Sequence, residues 1–285
     1  MKIQQQTSNT EIYESALFRT TSTLLHTEQY LLIVDPNWLP QEVEFLFGRA
    51  QTLAAGRKCY LLFTHSDYDH IIGYGRFKEF TTIASKNFTT HPTPNEVLDQ
   101  IRDFDDQYYL RRNYPVEYPE INIVIEQDGQ TLQLGGDDYE FYQARGHNRD
   151  GLLTFNRTRG ILLVGDYLSN EEFPYVYDSL ARYRETLNKL ERLFHSGGVR
   201  LLVSGHGDHT TDPREMQTRL RESRDYLDRL EEHVRTGTPF DTEALYRRYD
   251  FPKIMGAFHQ KNIELMRRES STRDMAQSLS GKRNE

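Results

Sequence analysis

The sequence predicts an α/β fold followed by a helical C-terminal extension. Three observations carry that prediction. Short apolar runs of strand type alternate with helical stretches through two similar halves, the buried runs end in polar residues able to bind a metal, and beyond residue 211 the strand-like runs stop. Such alternation calls for helices packed on the faces of a partly parallel sheet. We place the boundary between 1–211 and 212–285, with the extension expected to pack on the same body.

Residues 14–35, ESALFRTTSTLLHTEQYLLIVD, hold short apolar runs rich in Thr and β-branched side chains, broken by the polar turn HTEQ, and predict paired strands. LPQEVEFLFGRAQTLAA (39–55) has helical spacing and ends near Gly56. KCYLLFT (58–64) is a nearly continuous apolar run, the kind buried on both faces. Residues 95–112 read as a charged helix. INIVI (121–125), QTLQL (130–134), YEFYQA (139–144), GLLTF (151–155) and GILLVGD (160–166) read as strands with Gly or Asp turns between them. YDSLARYRETLNKLERLF (177–194) is an amphipathic helix, and VRLLVSGHGDH (199–209) is a buried strand entering a polar loop. In the extension, Asp212 is an N-cap, Pro213 lies in the first turn, Glu215 stands in capping-box position, and the helix stops before Gly237. Two further helices are expected at roughly 241–249 and 253–268, and the polar end, STRDMAQSLSGKRNE, is expected to fray.

The bulk numbers narrow the function classes. A net charge of -8 argues against nucleic acid as a partner, because phosphate binding needs a basic surface. No run of eighteen apolar residues exists, so neither a transmembrane helix nor a membrane partner is expected. The N-terminal MKIQQQTSNTEIYES lacks the apolar stretch of a signal peptide. The single cysteine, Cys59, cannot form an intramolecular disulfide and reads as a small core residue. A cytoplasmic protein acting on a small molecule is expected.

The chemistry concentrates at strand ends. LLFT runs into His65, Asp67, Asp69 and His70; YEFYQARG into His147; ILLVG into Asp166; RLLVSG into His206. Loops at the ends of rigid strands are where function is carried. A His-x-Asp-x-Asp-His cluster lets one short loop serve two metals, and two more histidines and an aspartate complete two sites. A lone His-x-Asp in a loop means little; four such residues within six, after a buried strand, mean more.

In this order the residues resemble the metallo-β-lactamase superfamily, whose signature is His-x-His-x-Asp-His, then Gly-His, then Asp, then Gly-His. The resemblance covers roughly 14–210 and implies a four-layer αβ/βα sandwich with metals at one edge. Position by position, it implies that His65, Asp67 and His147 hold one metal, that Asp69, His70 and His206 hold a second, and that Asp166 bridges them. VDP (34–36) matches the early motif whose aspartate supports the ligands. Asp69 is further implied as a proton acceptor. The implied activity is a hydrolase using a metal-bridging hydroxide on a small ester or lactone, with thioester and phosphodiester substrates as other members of the class. Two divalent ions are implied, zinc first, with manganese or iron as alternatives.

Asp67 departs from the pattern, since most of the family has histidine there. With two divalent cations, three carboxylates and a bridging hydroxide, the site becomes formally neutral. Histidine would leave one positive charge. A neutral site acidifies water less and attracts anions less, and oxygen ligands shift preference from zinc towards manganese or iron. The carboxylate resembles the flavodiiron branch, which carries Glu at this position. A non-haem diiron redox protein is therefore the alternative, and a metal-free binding module a third. Against the redox reading, the extension is helical and lacks a Gly-rich phosphate loop.

Substrate contacts are less marked. Arg145 and Arg149 flank His147; as ordinary residues they form surface ion pairs, and as functional ones they clamp a carboxylate or phosphate. The Tyr-rich stretch FDDQYYLRRNYPVEYPE (104–120) is either a solvated helix end or a cover over the metals, which makes Tyr108, Tyr109 and Arg149 candidate substrate contacts. The 241–268 stretch is a lid candidate or a homodimer contact. Trp38 reads as packing, and His209 as a plain loop histidine.

Overall fold

The computed structural model describes residues 1–281, with side chains through residue 271. The first sheet takes seven strands in chain order: β1 (Lys2–Gln6), β2 (Thr10–Glu14), β3 (Thr21–His26), β4 (Tyr30–Val34), β5 (Lys58–Leu62), β6 (Thr81–Ser85) and β7 (Ile123–Ile125). It is antiparallel from β1 to β4 and parallel from β4 to β7. The second sheet orders its strands β12-β11-β10-β9-β8, from β8 (Gln130–Leu134), β9 (Asp137–Gln143), β10 (Leu152–Asn156), β11 (Ile161–Leu163) and β12 (Leu201–Val203). Here β11 and β12 pair in parallel and the other neighbours antiparallel. The helices are α1 (Pro40–Ala54), α2 (Tyr68–Ile71), α3 (Lys86–Thr89), α4 (Pro94–Gln107), α5 (Leu180–His195), α6 (Pro213–Thr236), α7 (Thr242–Tyr246) and α8 (Pro252–Gly281).

Three apolar layers fix the αβ/βα sandwich. Between the sheets, Leu32, Val34, Leu62 and Ile83 meet Phe141, Leu152, Leu163 and Val203. Outside the first sheet, Leu46 and Ala50 of α1 and Leu98 and Ile101 of α4 cover Leu31, Ile33 and Leu61. Outside the second, α5, α6 and α8 bury Leu187, Leu190, Leu227 and Met255 against Leu153, Leu162 and Leu202. Each fully buried leucine stabilises the fold by roughly 1.5–3 kcal/mol. Both faces of β4, β5 and β11 are therefore apolar, which is why their sequences read as continuous runs rather than alternations.

The two sheets are stitched together at one edge. Thr21 N donates to Gly205 O at 2.7 Å, and Leu152 N donates to Thr64 O at 2.8 Å. The C-terminal ends of β4, β5, β11 and β12 open onto that edge, so the loops after them meet.

The extension begins as expected: Asp212 accepts from Arg214 N at 2.8 Å, and α6 ends on Gly237 at φ 74. The last helix corrects the reading of the end. α8 is predicted to stop near 268 with 271–285 frayed, yet it runs through to Gly281, and residues 282–285 lie outside the described residues. The segment from 271 is polar, but no Pro interrupts it, and polarity alone does not end a helix.

On α8, His259 is buried among Phe240, Tyr226 and Phe173, and its Nδ1 lies 3.0 Å from the Tyr226 hydroxyl. Burial, reinforced by His233 and Arg229, lowers its pKa from 6.5 to about 4. The folded chain thus keeps His259 neutral while the unfolded chain protonates it. The stabilisation is complete above pH 6.5 and is lost as the pH falls towards about 4. Thermal melts should fall more steeply over that interval for wild type than for His259→Phe. Parallel curves would show that His259 contributes nothing to the acid limb.

Candidate metal centre

β5 ends at Leu62, and the chain then turns so that His65, Asp67, Asp69 and His70 all face the stitched edge. Two groups form. His65, Asp67, His147 and Asp166 bring one ligand atom each to a common point, and Asp69, His70 and His206 do the same beside them. Asp166 lies between the groups: Oδ2 is 3.5 Å from His65 Nε2, 3.2 Å from His147 Nε2 and 3.5 Å from His206 Nε2, and Oδ1 is 3.1 Å from His70 Nε2. Asp67 Oδ2 is 3.1 Å from His147 Nε2, and Asp69 Oδ2 is 3.4 Å from His70 Nε2 and 3.5 Å from His206 Nε2.

The far nitrogen of each imidazole is occupied, which turns the near one inward. His70 Nδ1 is 2.9 Å from Asp35 Oδ2, His147 Nδ1 donates to Tyr175 O at 2.8 Å, and His206 Nδ1 donates to Phe18 O at 2.9 Å. His65 Nδ1 is 3.0 Å from Thr64 Oγ1, whose hydroxyl donates to Asp35 at 2.5 Å. Asp35 is thus the supporting aspartate that the early motif implies.

Two glycines make room. Gly146 sits at φ 122, where a Cβ would strike the Tyr183 backbone, and a Cβ on Gly205 would strike Asp166 Oδ1 and His70 Cε1. This is the physical content of the two Gly-His pairs.

The donor set fits divalent metal. The buried His65 Nε2, His70 Nε2 and Asp166 Oδ1 have no hydrogen-bond partner, and each points into the cluster. Burial opposes charge on Asp67, yet the imidazoles of His65 and His147 outweigh it and hold its carboxyl well below the usual range. Burial likewise opposes charge on Asp166, and His70, His206 and His65 hold it low. Burial pushes His70, His147 and His206 down, but the facing carboxylates win, the aspartates at His70 and His147 and Glu172 followed by Asp166 at His206, and raise all three well above the ordinary histidine value. Ion-pair energy that protons supply in the bare chain is the energy a cation would supply in their place.

The cluster forms the floor of a cavity of about 470 Å3. One wall carries Phe18, Trp38 and Tyr68; the other carries Tyr175, Tyr177 and, from α8, Ile254 and Phe258. Trp38 is therefore both packing and lining. Arg149 is exposed at the lip, as one reading of it allowed. Arg145 takes the ordinary reading, an ion pair with Asp178 at 3.2 Å. His209 pairs with Gln4 at 2.9 Å, outside the cluster.

Tyr108 and Tyr109 are corrected. They are 56% and 92% exposed and do not line the cavity. α4 ends at Gln107, and Tyr109 turns away at φ 55. Within the Tyr-rich stretch, Arg112 instead pairs with Asp105 at 2.8 Å and donates to Trp38 O at 3.0 Å, holding the wall from behind. The wall on that side comes from the preceding residues, including His91, Glu96 and Val97.

Sequence reasoning missed two residues here. Asn148 donates to Asp67 Oδ1 at 3.2 Å. Glu172 reaches the cluster beside Asp166 and His206, and burial raises its carboxyl to about 7. It follows no apolar strand, so no signal marked it.

Comparison with known proteins bears on the family and the fold. The family model of the metallo-beta-lactamase superfamily matches residues 16–213. No curated protein matches the sequence. A metallo-beta-lactamase family protein from Thermus thermophilus superposes with a TM-score of 0.64 at 17% identity, over 93% of this chain and 95% of that one. A double mutant of the sec-alkyl sulfatase PisA1 gives 0.63 at 12% identity, over 86% of this chain and 45% of that one. Rubredoxin oxygen:oxidoreductase from Desulfovibrio gigas gives 0.53 at 14% identity, over 80% and 62%. At these identities the structural likeness establishes the fold alone. Among the described residues, no helix is long and apolar enough to cross a membrane.

Proposed function

The chain belongs to the metallo-beta-lactamase superfamily, and from that premise we propose that it is a metal-dependent hydrolase acting on a small, neutral ester or lactone. The observation that carries the reading is the convergence of seven His and Asp side chains, with unpartnered His65 Nε2, His70 Nε2 and Asp166 Oδ1, on the floor of an aromatic cavity. His65, Asp67, His147 and Asp166 would hold one divalent ion and Asp69, His70 and His206 another, zinc before manganese or iron. Ions held there supply Lewis acidity and make a nearby water more acidic.

The chain's own residues do the rest. Asp69, on the cavity floor, takes a proton from the attacking water. Tyr175, Tyr177 and Phe258 hold the apolar part of the substrate and exclude water. Charge supports a neutral substrate. Beyond the ligands, the lining among the described residues is close to balanced: Glu96 stands against one guanidinium, Arg149, while Asp178 is already paired with Arg145 and burial raises the Glu172 carboxyl to about 7. Asp67 further lowers the attraction for anions.

A non-haem diiron redox centre is the second reading, favoured by the carboxylate at Asp67. A panel of nitrophenyl esters, lactones, thioesters and phosphodiesters, assayed with and without chelator, separates the two. Chelator-sensitive ester or lactone cleavage supports the proposal; oxygen-dependent turnover by an iron-loaded chain contradicts it. Within the panel, Phe258→Ala should change the ratio of butyrate to acetate cleavage by about tenfold, the scale for a few methylenes in an apolar pocket. An unchanged ratio would remove α8 from the substrate wall.

A further inference from the structure

We propose that Asn262 of α8 is a positioning residue for the metal ligand His147, so that docking of the C-terminal helix sets the geometry of one half of the centre. The inference rests on the metal-centre reading above. Its starting point is a buried amide in an apolar setting. Asn262 is 2% exposed, next to Ile263 and near Met266 in the layer that covers the second sheet. Packing alone would favour an apolar side chain there, because a buried amide is tolerated only when its hydrogen bonds are made.

Those bonds are made, and two of the three go to one segment. Asn262 Oδ1 accepts from Val176 N at 2.9 Å, and Nδ2 donates to Pro174 O at 2.7 Å. Between these two residues lies Tyr175, whose carbonyl receives the His147 Nδ1 proton at 2.8 Å. The same segment continues along the ligand loop: Tyr177 N donates to His147 O at 2.7 Å, and Asp178 N to Gly146 O at 3.1 Å. Residues 174–178 therefore form a strap that touches His147 on both its ring and its backbone.

α8 grips the strap at a second point, where Phe258 stacks on the Tyr175 ring at 4.1 Å and 15°. The third Asn262 bond, from Nδ2 to the Tyr226 hydroxyl at 2.9 Å, ties the amide to α6. Tyr226 in turn stacks on Phe173 at 4.5 Å, just before the strap.

The consequence is directional. Tyr175 O fixes the proton on Nδ1 and leaves Nε2 free to face Asp67 and Asp166. Releasing the strap frees the His147 ring. It leaves His70 on Asp35 and His206 on Phe18 undisturbed, because neither hydrogen bond involves the strap.

The test is a calorimetric zinc titration of the metal-stripped full-length chain, wild type against Asn262→Ala, with Ile263→Ala as a comparison that loosens the same helix without touching the strap. Asn262→Ala should weaken one zinc equivalent by roughly 10–100-fold, the usual scale for losing a partner of a metal-bound histidine, and leave the other unchanged. Ile263→Ala should lower the melting temperature and leave both equivalents alone. If Asn262→Ala does not fold, Tyr226→Phe removes the hydroxyl that holds the amide and keeps the ring; it should shift the same equivalent in the same direction. Unchanged binding in the strap variants would overturn the inference, as would equal weakening of both equivalents there and in Ile263→Ala. A wild-type chain that binds no zinc or other divalent ion would overturn the metal-centre reading itself.

Discussion

Asp166→Ala is expected to leave the chain with less metal than wild type and with no turnover. Asp166 alone faces both ligand groups, with Oδ2 towards His65, His147 and His206 and Oδ1 towards His70. Removing it leaves four imidazoles around a gap with no shared anion. The loss should exceed the roughly 10–100-fold that follows from deleting a residue behind a ligand. Folding is a separate question, because the side chain lies at the edge of the sandwich and not between its apolar layers. Circular dichroism should therefore stay native while metal content falls. Full metal occupancy in a folded Asp166→Ala chain would remove Asp166 as a bridge.

The second large effect concerns Asp67→His. Asp67 joins His65, His147 and Asp166 in one group, and Asn148 anchors its other oxygen. Exchanging this carboxylate for imidazole removes one negative charge and leaves five imidazoles and two carboxylates around the centre. Zinc should then compete better against manganese and iron, because nitrogen ligands favour it. Competition experiments with equal concentrations of the three ions read this directly. The orphaned Asn148 amide must find water or reorient, so some loss of total affinity is expected alongside the change in preference. The same order of preference in both chains would mean that the charge of Asp67 does not set metal selectivity.

The convergent His and Asp side chains were legible in the sequence for a physical reason. A strand buried on both faces must be apolar, so the first polar residues after it mark where the chain emerges, and His65, Asp166 and His206 each stand at such a point, whereas His147 follows the half-exposed, alternating β9. Glu172, Asn148 and Asn262 lie in a loop, beside a proposed ligand and inside the last helix. Their roles depend on which distant segment packs against them, which spacing along the chain does not encode.

Tyr108 and Tyr109 show the converse. Aromatic density near a site reads as a wall, but the end of α4 decides which way each ring points, and both point outwards. The polar edge strand β1, KIQQQ, also escaped notice, since it has no apolar alternation to report. The helical extension was legible as helix from its caps and its 241–268 stretch as a lid candidate; the tertiary packing brings Ile254 and Phe258 of that stretch into the cavity wall.

The proposed centre holds two divalent ions on seven convergent side chains. Its most direct test is elemental analysis combined with zinc titration of the metal-stripped, full-length chain. Wild type should bind about two equivalents tightly and Asp166→Ala fewer. A correctly folded wild-type chain that binds no divalent ion would contradict the proposed centre.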